Sequence, residues 1–264
     1  MKIGFLGCGN MGGALARAVR RADGKAELLL ADTGMDKRDA LAAEIGAGTA
    51  DASTLLFECD YVFLGLKPQV LAGVMATLPT AAAAERGVVY ISMAAGVTLA
   101  ALDGMLSGAP VIRIMPNTAV LVGEGMTVYA ASSSVSEQAR EDFLAMMAAS
   151  GRCDELPEGL IDAACAVSGC GPAFAYLFLE ALSDGAVECG LPRDRALAYA
   201  AQTVKGAMTM AMTTGRQPGE LKDAVCSPGG STIAGVHALE AGGLRAAAID
   251  AVCAAYRRTK ELGK

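Results

Sequence analysis

Residues 2–13 read KIGFLGCGNMGG, and this stretch decides the fold. It begins with a mainly apolar run that predicts a short strand, and apolar residues at helical spacing follow it. Three glycines between the two match the pattern G-x-G-x-x-G. Gly7 permits a tight turn, Gly9 lets the backbone approach a pyrophosphate, and Gly12 allows the helix to pack closely on the strand. The stretch therefore predicts a strand, a glycine turn and a helix whose N-terminus binds phosphate.

A carboxylate follows at the distance that a dinucleotide-binding unit requires. Asp32 ends a second apolar run, residues 28–31, about 20 residues beyond the third glycine. A carboxylate there accepts hydrogen bonds from a ribose 2′-hydroxyl and favours NAD(H). Thr33, Lys37 and Arg38 follow closely and could hold the 2′-phosphate of NADP(H). The sequence leaves NAD(H) and NADP(H) open, and a helix N-cap is the structural alternative for Asp32.

The first half of the chain alternates strand and helix signals, which favours a mostly parallel, doubly wound sheet. Ser134 and Glu137 form a candidate capping box for a helix that runs to about residue 149. The further expected strands are residues 61–66, 88–91, 111–115, 126–130 and 151–156. The fold class is therefore α/β, with an N-terminal domain of the Rossmann type.

After about residue 152 the strand signals stop and long Ala-, Met- and Leu-rich helical windows follow. We therefore expect two domains: a dinucleotide-binding domain at residues 1–152 and an all-helical domain at 153–264. The helices carry small apolar residues on nearly every face, so a single layer of them would expose much apolar surface to water. The sequence predicts a homodimer that buries this surface through the helical domain.

Composition excludes several classes of function. The 264 residues are 53% hydrophobic and 19% charged, and the net charge of −6 has the wrong sign for nucleic acid or anionic lipid. His237 is the single histidine and the eight cysteines form no CxxC pair, so we expect no metal site. We interpret the cysteines as small apolar fillers of a protein in the reducing cytoplasm. No signal peptide or membrane span is expected, because Gly or Pro interrupts the long apolar stretches.

Three later strand ends break at proline, alanine or glycine, which leaves room for a flat ring at the carboxyl edge of the sheet. The residues expected there beside a nicotinamide and its ribose are Lys67, Pro68, Met93, Ala95 and Asn117. A solvated loop lysine and an ordinary turn asparagine are the structural alternatives for Lys67 and Asn117. With these, the expected cofactor-binding residues include Gly7, Gly9, Asn10, Met11, Gly12 and Asp32.

In the helical half, residues 226–232 resist a helical interpretation. Small residues and exposed amides precede an apolar helix, and such a helix N-terminus suits a carboxylate. A bare cap would need only one hydroxyl residue. The expected substrate-binding residues are Ser227, Gly229, Gly230, Ser231 and Thr232. Residues 168–173 form a second break, where Pro172 is placed to open the next helix.

Together these motifs resemble the pyrroline-5-carboxylate reductase family. The resemblance covers essentially the whole chain in order and rests most specifically on residues 221–223, 227–233 and 237–240. It is also carried by the residues 7–12, 66–69, 92–97, 115–118 and 168–173. The resemblance implies reduction of 1-pyrroline-5-carboxylate to L-proline with NAD(P)H, the last step of proline synthesis. It further implies an obligate dimer, often assembled into rings.

The resemblance also implies roles for particular residues. Lys67, Met93 and Ala95 would line the cofactor, Ser231 and Thr232 the substrate, and Glu158 matches a substrate-contacting glutamate of some members. The chain departs from the family pattern at Cys170, where a second serine is usual, at Ala119, often a proline, and at Ala52, in some members a cofactor-binding asparagine. The family often favours NADPH, and Asp32 puts that preference in doubt.

The chemistry of a cyclic imine fits these residues, because carbon takes a hydride, nitrogen takes a proton and no strong base is needed. Amides at residues 229–232 would hold the substrate carboxylate, and the Thr232 hydroxyl would reach the ring nitrogen as the catalytic group. One alternative is a dehydrogenase for a 3-hydroxy acid or 6-phosphogluconate, for which Lys205 is a poorly placed catalytic lysine. The other is a dinucleotide-sensing scaffold without catalysis, which would have no use for residues 227–232.

Overall fold

The computed structural model describes residues 1–262, which form two compact units. The first unit contains residues 1–170 together with the chain from residue 255 onward, and the second contains Gly171–Ala254. The expected domain boundary at 152/153 lies inside the last strand of the sheet, Gly151–Glu155. The division into a dinucleotide-binding domain at residues 1–152 and a helical domain at 153–264 stays a prediction.

The first unit is built on an eight-stranded sheet with the order β3-β2-β1-β4-β5-β6-β7-β8. Only β6 and β7 pair antiparallel among the strands of the described chain, so the expected mostly parallel, doubly wound α/β fold is confirmed. The strands are β1 Lys2–Leu6, β2 Glu27–Ala31, β3 Gly48–Thr49, β4 Tyr61–Leu64, β5 Val89–Ser92, β6 Val111–Met115, β7 Gly125–Ala131 and β8 Gly151–Glu155.

Helices cover both faces of this sheet. They are α1 Asn10–Ala22, α2 Met35–Ile45, α3 Ala52–Glu58, α4 Pro68–Met75, α5 Thr80–Arg86, α6 Leu99–Met105, α7 Glu137–Met147 and α8 Ile161–Ser168. Two 3-10 turns, Thr118–Val122 and Glu158–Leu160, interrupt the series. Residues alternate between faces along β4: Phe63 packs in the core with α1 and α7, and Val62 in the core with α3 to α6. The sheet therefore lies between two apolar cores.

The second unit is helical throughout. It contains α9 Gly171–Glu188, α10 Arg193–Thr214, α11 Pro218–Ala224, α12 Ser231–Ala241 and most of α13 Leu244–Leu262. The turn at residues 169–170 separates α8 from α9, and Pro172 is the second residue of α9, as expected. Among residues 171–254 only Ser183 and Ala196 are buried.

Local details correct the sequence interpretation at three places. Ser136 rather than Ser134 caps α7, since its hydroxyl accepts a hydrogen bond from the backbone N–H of Ala139. The expected strand 61–66 ends at Leu64, because Gly65 leaves the sheet to contact the glycine turn. Cys189 and Cys253 are exposed, so not every cysteine is an apolar filler.

An ionic cluster around a buried arginine ties β6 to the segment that follows the sheet. Arg113 on β6 is 2% exposed and donates to Glu158 at 2.9 Å and to Asp162 at 3.1 Å. The same Glu158 oxygen accepts from the backbone N–H of Leu99 at 2.7 Å, and Lys260 lies 3.2 Å from Asp162. The cluster therefore joins β6, α6, α8 and the last turn of α13.

We expect Arg113→Met to lower the free energy of unfolding of the chain by about 1 to 3 kcal/mol, because the charged hydrogen bonds of a buried guanidinium to the partly exposed Glu158 and Asp162 are lost, while Asp162 keeps Lys260. Arg152→Met is the control: its partner Asp154 is 4.0 Å away on the exposed surface, and its loss costs at most about 1 kcal/mol. Urea unfolding followed by circular dichroism measures both. An effect of Arg113→Met no larger than that of the control would show that the cluster adds no stability.

Candidate functional site

A groove of about 930 Å³ opens at the carboxyl ends of β1, β2 and β4. Parallel strands present their carboxyl ends at one edge of the sheet, which is where open α/β sheets bind ligands. The lining residues come from the glycine turn, from the turns after β2 and β3, and from the start of α4. They are Leu6, Gly7, Gly9, Asn10, Met11, Ala31, Asp32, Thr33, Met35, Arg38, Ala50, Asp51, Ala52, Gly65, Leu66, Lys67, Val70 and Val74.

The three glycines of the fingerprint differ in what requires them. Gly7 has φ +99°, and a Cβ there would lie 2.6 Å from the carbonyl oxygen of Gly65. A Cβ on Gly12 would collide with the carbonyl oxygen of Gly7. A Cβ on Gly9 would meet no protein atom within 4 Å, although Gly9 lines the groove. Internal packing requires the first and third glycines, and the second keeps the groove open.

The start of α1 fits a bound phosphate. Gly9 is the N-cap of this helix. Within the described residues 1–262, no side chain caps the helix, and its first turn contains no acidic residue. The first amides of a helix point away from it without internal partners and carry a partial positive charge. An anion in the groove would therefore find donors here, which agrees with the dinucleotide expected from the sequence.

Asp32 is not a helix N-cap, which corrects the structural alternative. The N-cap of α2 is Gly34. One oxygen of the Asp32 carboxylate, Oδ2, accepts from the backbone N–H of Cys8 at 2.6 Å, and Oδ1 accepts from that of Gly34 at 2.7 Å. The carboxylate thus links the glycine turn to the turn after β2 and lies in the wall of the groove.

The remaining expected cofactor residues fall into two groups. Lys67 lines the groove as the N-cap of α4. In the part of the chain that the structure describes, Pro68, the first residue of α4, lies outside the groove lining, as do Met93, Ala95 and Asn117. Met93 packs against the core, and Asn117 accepts from Ala119 at 3.2 Å and Met126 at 3.3 Å. The predicted cofactor contacts of this second group stay predictions.

Residues that the sequence analysis did not assign to the site also form the groove. Gly65 contacts the glycine turn so closely that a Cβ on it would collide with the carbonyl oxygen of Gly7. Its place directly after an apolar strand was the available signal. Asp51 caps α3 by accepting from Thr54 at 2.8 Å, and this hydrogen bond lowers the pKa of its carboxyl. The two-residue strand β3 that positions Asp51 is too short to leave a sequence pattern.

The expected substrate-binding residues form a compact turn in the second unit. The backbone N–H of Gly230 donates to the carbonyl of Ser227 at 3.0 Å, Gly229 has φ +67°, and a Cβ on Gly230 would collide with the Ser227 hydroxyl. Gly230 is the N-cap of α12, whose first residues Ser231 and Thr232 are exposed. The turn therefore presents free amides and two hydroxyls at a helix N-terminus, an arrangement that suits a carboxylate.

Glu158, expected at the substrate, belongs to the ionic cluster of the first unit. One of its oxygens is occupied by Arg113 and Leu99. This cluster explains the position of the side chain without a ligand, and the substrate contact stays a prediction.

The cysteines of the chain are thiols scattered over both units. No group of three or more His, Cys, Asp or Glu side chains that could hold a metal occurs among residues 1–262. All eight cysteines are free. Burial raises the pKa of the Cys8 and Cys165 thiols to about 11 and that of Cys59 to about 12. These thiols stay protonated at neutral pH and are poor nucleophiles.

One apolar stretch, residues 158–188, is long and apolar enough to cross a membrane, with a mean hydropathy of 1.4 over its best window. Only 11% of that window is buried, and the turn at residues 169–170 divides it. The exposed apolar side chains of this stretch need a partner surface.

Comparisons with known proteins agree from end to end. A family model described as pyrroline-5-carboxylate reductase dimerisation matches residues 158–262, and one described as NADP oxidoreductase coenzyme F420-dependent matches residues 2–96. The chain is 41% identical to the pyrroline-5-carboxylate reductase of Methanosarcina acetivorans, over 100% of this chain and 98% of the relative. It is 36% identical to that of Escherichia coli with the same coverage.

Solved structures give the same result. A pyrroline-5-carboxylate reductase from Coxiella burnetii matches with a TM-score of 0.92 at 31% identity, and Plasmodium falciparum pyrroline carboxylate reductase with NADP bound matches with 0.89 at 30%. Both alignments cover 100% of this chain and 98% of the other. A Mycobacterium tuberculosis 3-hydroxyisobutyrate dehydrogenase shares the fold alone, with a TM-score of 0.53 at 16% identity over 82% of this chain and 72% of that one.

We expect Gly9→Ala to weaken dinucleotide binding at least tenfold while the stability of the chain stays within about 1 kcal/mol of wild type, because the new methyl group meets no protein atom and the backbone angles suit alanine. Gly12→Ala is the matched comparison and should lose stability as well, since its Cβ collides with backbone. Calorimetric titration and thermal unfolding separate the two effects. Unchanged affinity in Gly9→Ala would remove the pyrophosphate from this turn.

Proposed function

The chain belongs to the pyrroline-5-carboxylate reductase family, and we propose that it performs the reaction of that family, the reduction of 1-pyrroline-5-carboxylate to L-proline. It is an oxidoreductase that acts on a C=N bond with NAD(P)H. The observation that carries this function is the end-to-end similarity to curated members, at 41% identity over the whole chain. Likeness to the hydroxy-acid dehydrogenase concerns the fold alone, so the dehydrogenase alternative has no support beyond architecture.

The groove of the first unit fits the cofactor. The open space at Gly9, the uncapped amides of α1 and the carboxylate of Asp32 match the pyrophosphate and ribose of a dinucleotide. When bound, the nicotinamide supplies a hydride. Lys67 and the small residues of the neighbouring turns leave space along the edge of the sheet for the rest of the cofactor.

The turn at residues 227–232 is proposed to bind the substrate. Its amides at the start of α12 would hold the substrate carboxylate, and the hydroxyls of Ser227 and Ser231 flank them. The Thr232 hydroxyl would donate a hydrogen bond to the ring nitrogen, which takes up a proton as the C=N bond is reduced. A hydroxyl is a weak acid, so most of the rate comes from orientation of the substrate.

Loss of absorbance at the reduced-nicotinamide band, with purified protein and pyrroline-5-carboxylate, tests the function directly. We expect oxidation of NADH or NADPH that depends on the substrate. Thr232→Ala should reduce turnover at least tenfold with cofactor affinity kept, because only the contact to the ring nitrogen is lost. Thr232→Ser keeps the hydroxyl and is the control. No oxidation with either cofactor, in protein that binds it, would overturn the substrate assignment and favour the sensing scaffold.

We also propose that the helical unit forms a homodimer. Two buried residues among 171–254 are far too few to hold five helices together in water. A second copy of the same apolar surface would bury the large exposed side chains, and the family model that matches residues 158–262 is described as dimerisation. These side chains are Tyr176, Leu177, Leu197, Tyr199, Met208, Met210, Met212 and Ile249. The dimer explains the apolar stretch 158–188 without a membrane.

We propose a cytoplasmic location as well. The eight free thiols and the net charge of −6 support a cytoplasmic protein that handles a small molecule and does not bind nucleic acid. Ring assembly of dimers, implied by the resemblance, would appear in the same mass measurement as the dimer.

Sedimentation of the wild type without detergent should give twice the chain mass or an even multiple of it. Leu177→Glu, at a position 66% exposed on α9, should shift the protein toward monomer or loss of solubility, because a charge would be buried in the interface. Phe57→Glu on α3 is the matched control, since Phe57 is 55% exposed in the first unit. A monomeric wild type at micromolar concentration would overturn the dimer.

A further inference from the structure

Asp32 has a fixed orientation that no bound ligand is needed to produce. Its two carboxylate oxygens accept from the amides of Cys8 and Gly34 at 2.6 and 2.7 Å. Each oxygen keeps a further lone pair for a hydroxyl donor. The side chain therefore offers a held negative charge and free acceptor capacity in the wall of the groove.

A second carboxylate stands beside it. In the register of the sheet, Leu30 of β2 pairs with Thr49 of β3, and Asp32 and Asp51 each follow two residues after this pair. Both line the groove. Because the hydrogen bond from Thr54 lowers the pKa of Asp51, that group is also ionised at neutral pH. This end of the groove therefore carries two negative charges.

The positive charge beside Asp32 is partly offset by a carboxylate. Arg38 lines the groove, and its Nε donates to Asp39 at 2.7 Å. Lys37 lies outside the groove lining among residues 1–262, in a hollow that also contains Glu44, and Thr33 offers the groove only an uncharged hydroxyl. One arginine paired with Asp39 therefore faces Asp32 and Asp51, and this balance of charge favours one side of the choice that the sequence left open.

We propose that Asp32 makes this chain selective for NADH over NADPH. The inference rests on the proposed function for its dinucleotide site. A ribose 2′-hydroxyl can donate to a carboxylate, whereas a 2′-phosphate offers acceptors and a charge near −2, which the pair of carboxylates repels. The NADP found with the Plasmodium falciparum relative is a property of that protein. The selectivity comes from Asp32 in this chain, with Asp51 reinforcing it.

The test measures binding without substrate, so that it is independent of turnover. Calorimetric titration of the wild type uses two ligand pairs, NADH with NADPH and ADP-ribose with 2′-phospho-ADP-ribose. In each pair the ligand without the 2′-phosphate should bind at least tenfold more tightly. Asp32→Ser should shift both ratios at least tenfold toward the phosphorylated ligand. Asp36→Asn is the matched control, because this exposed aspartate on α2 lies outside the groove lining among residues 1–262 and its loss should change the ratios less than threefold.

Three outcomes would overturn the proposal. One is equal or tighter binding of NADPH by the wild type, which needs no folded variant. Another is an equal loss of affinity for NADH and NADPH in Asp32→Ser, in protein with a normal thermal transition. That result would mean that Asp32 only holds the glycine turn in place. Binding of neither dinucleotide overturns the cofactor site and the proposal together. Selective binding of NADH without turnover of the imine would overturn the substrate assignment and leave the selectivity standing.

Discussion

The first unit depends on one close approach of backbone to backbone. Gly7, Gly12 and Gly65 meet where the glycine turn passes the end of β4, and a Cβ on any of them would fall on the backbone of another. This contact sets α1 against β1 and β4, with its uncapped N-terminus at the carboxyl edge of the sheet. The absence of side chains at these three positions lets the helix approach the sheet this closely, and its N-terminus then lies in the groove. One packing contact thus shapes both the core and the candidate phosphate-binding site.

Sequence predicts the parts of this arrangement that repeat a pattern. Alternating apolar residues on β4 face two cores, so strands in this half are recognisable as short apolar runs between helices. Features that depend on single contacts are harder to predict from the sequence. Ser136 caps α7 in place of Ser134, and β3 is only two residues long. The fingerprint located the groove, but Gly65 and Asp51 enter it through neighbours that are distant in sequence.

The composition of the helical unit cannot be explained by the packing of a single chain. Apolar residues on most faces of α9 and α10 contradict an amphipathic pattern, yet only Ser183 and Ala196 are buried in residues 171–254. Helices of this composition need another apolar surface to cover their exposed side chains. The turn proposed to bind the substrate precedes α12 in this unit, so the proposed substrate site and the proposed dimer would depend on the same helices. The glycines and hydroxyl residues of the turn were recognisable in the sequence. The apolar area that a partner would cover could be measured only in the structure.

Asp32 connects the fold and the choice of cofactor through one side chain. Its hydrogen bond to the Cys8 amide restrains the turn that brings Gly7, Gly9 and α1 together, and its charge faces the groove. A residue without a carboxylate would remove the repulsion of a 2′-phosphate but would also leave the Cys8 amide without its acceptor. A substitution that changes the cofactor preference must therefore leave this amide an acceptor, either a hydroxyl at the same position or a phosphate oxygen of the ligand itself. In the second case the ligand would take over one hydrogen bond that Asp32 now provides, while the backbone contact of Gly7 with Gly65 and the hydrogen bond from the Gly7 amide to the Ala31 carbonyl would still hold the turn.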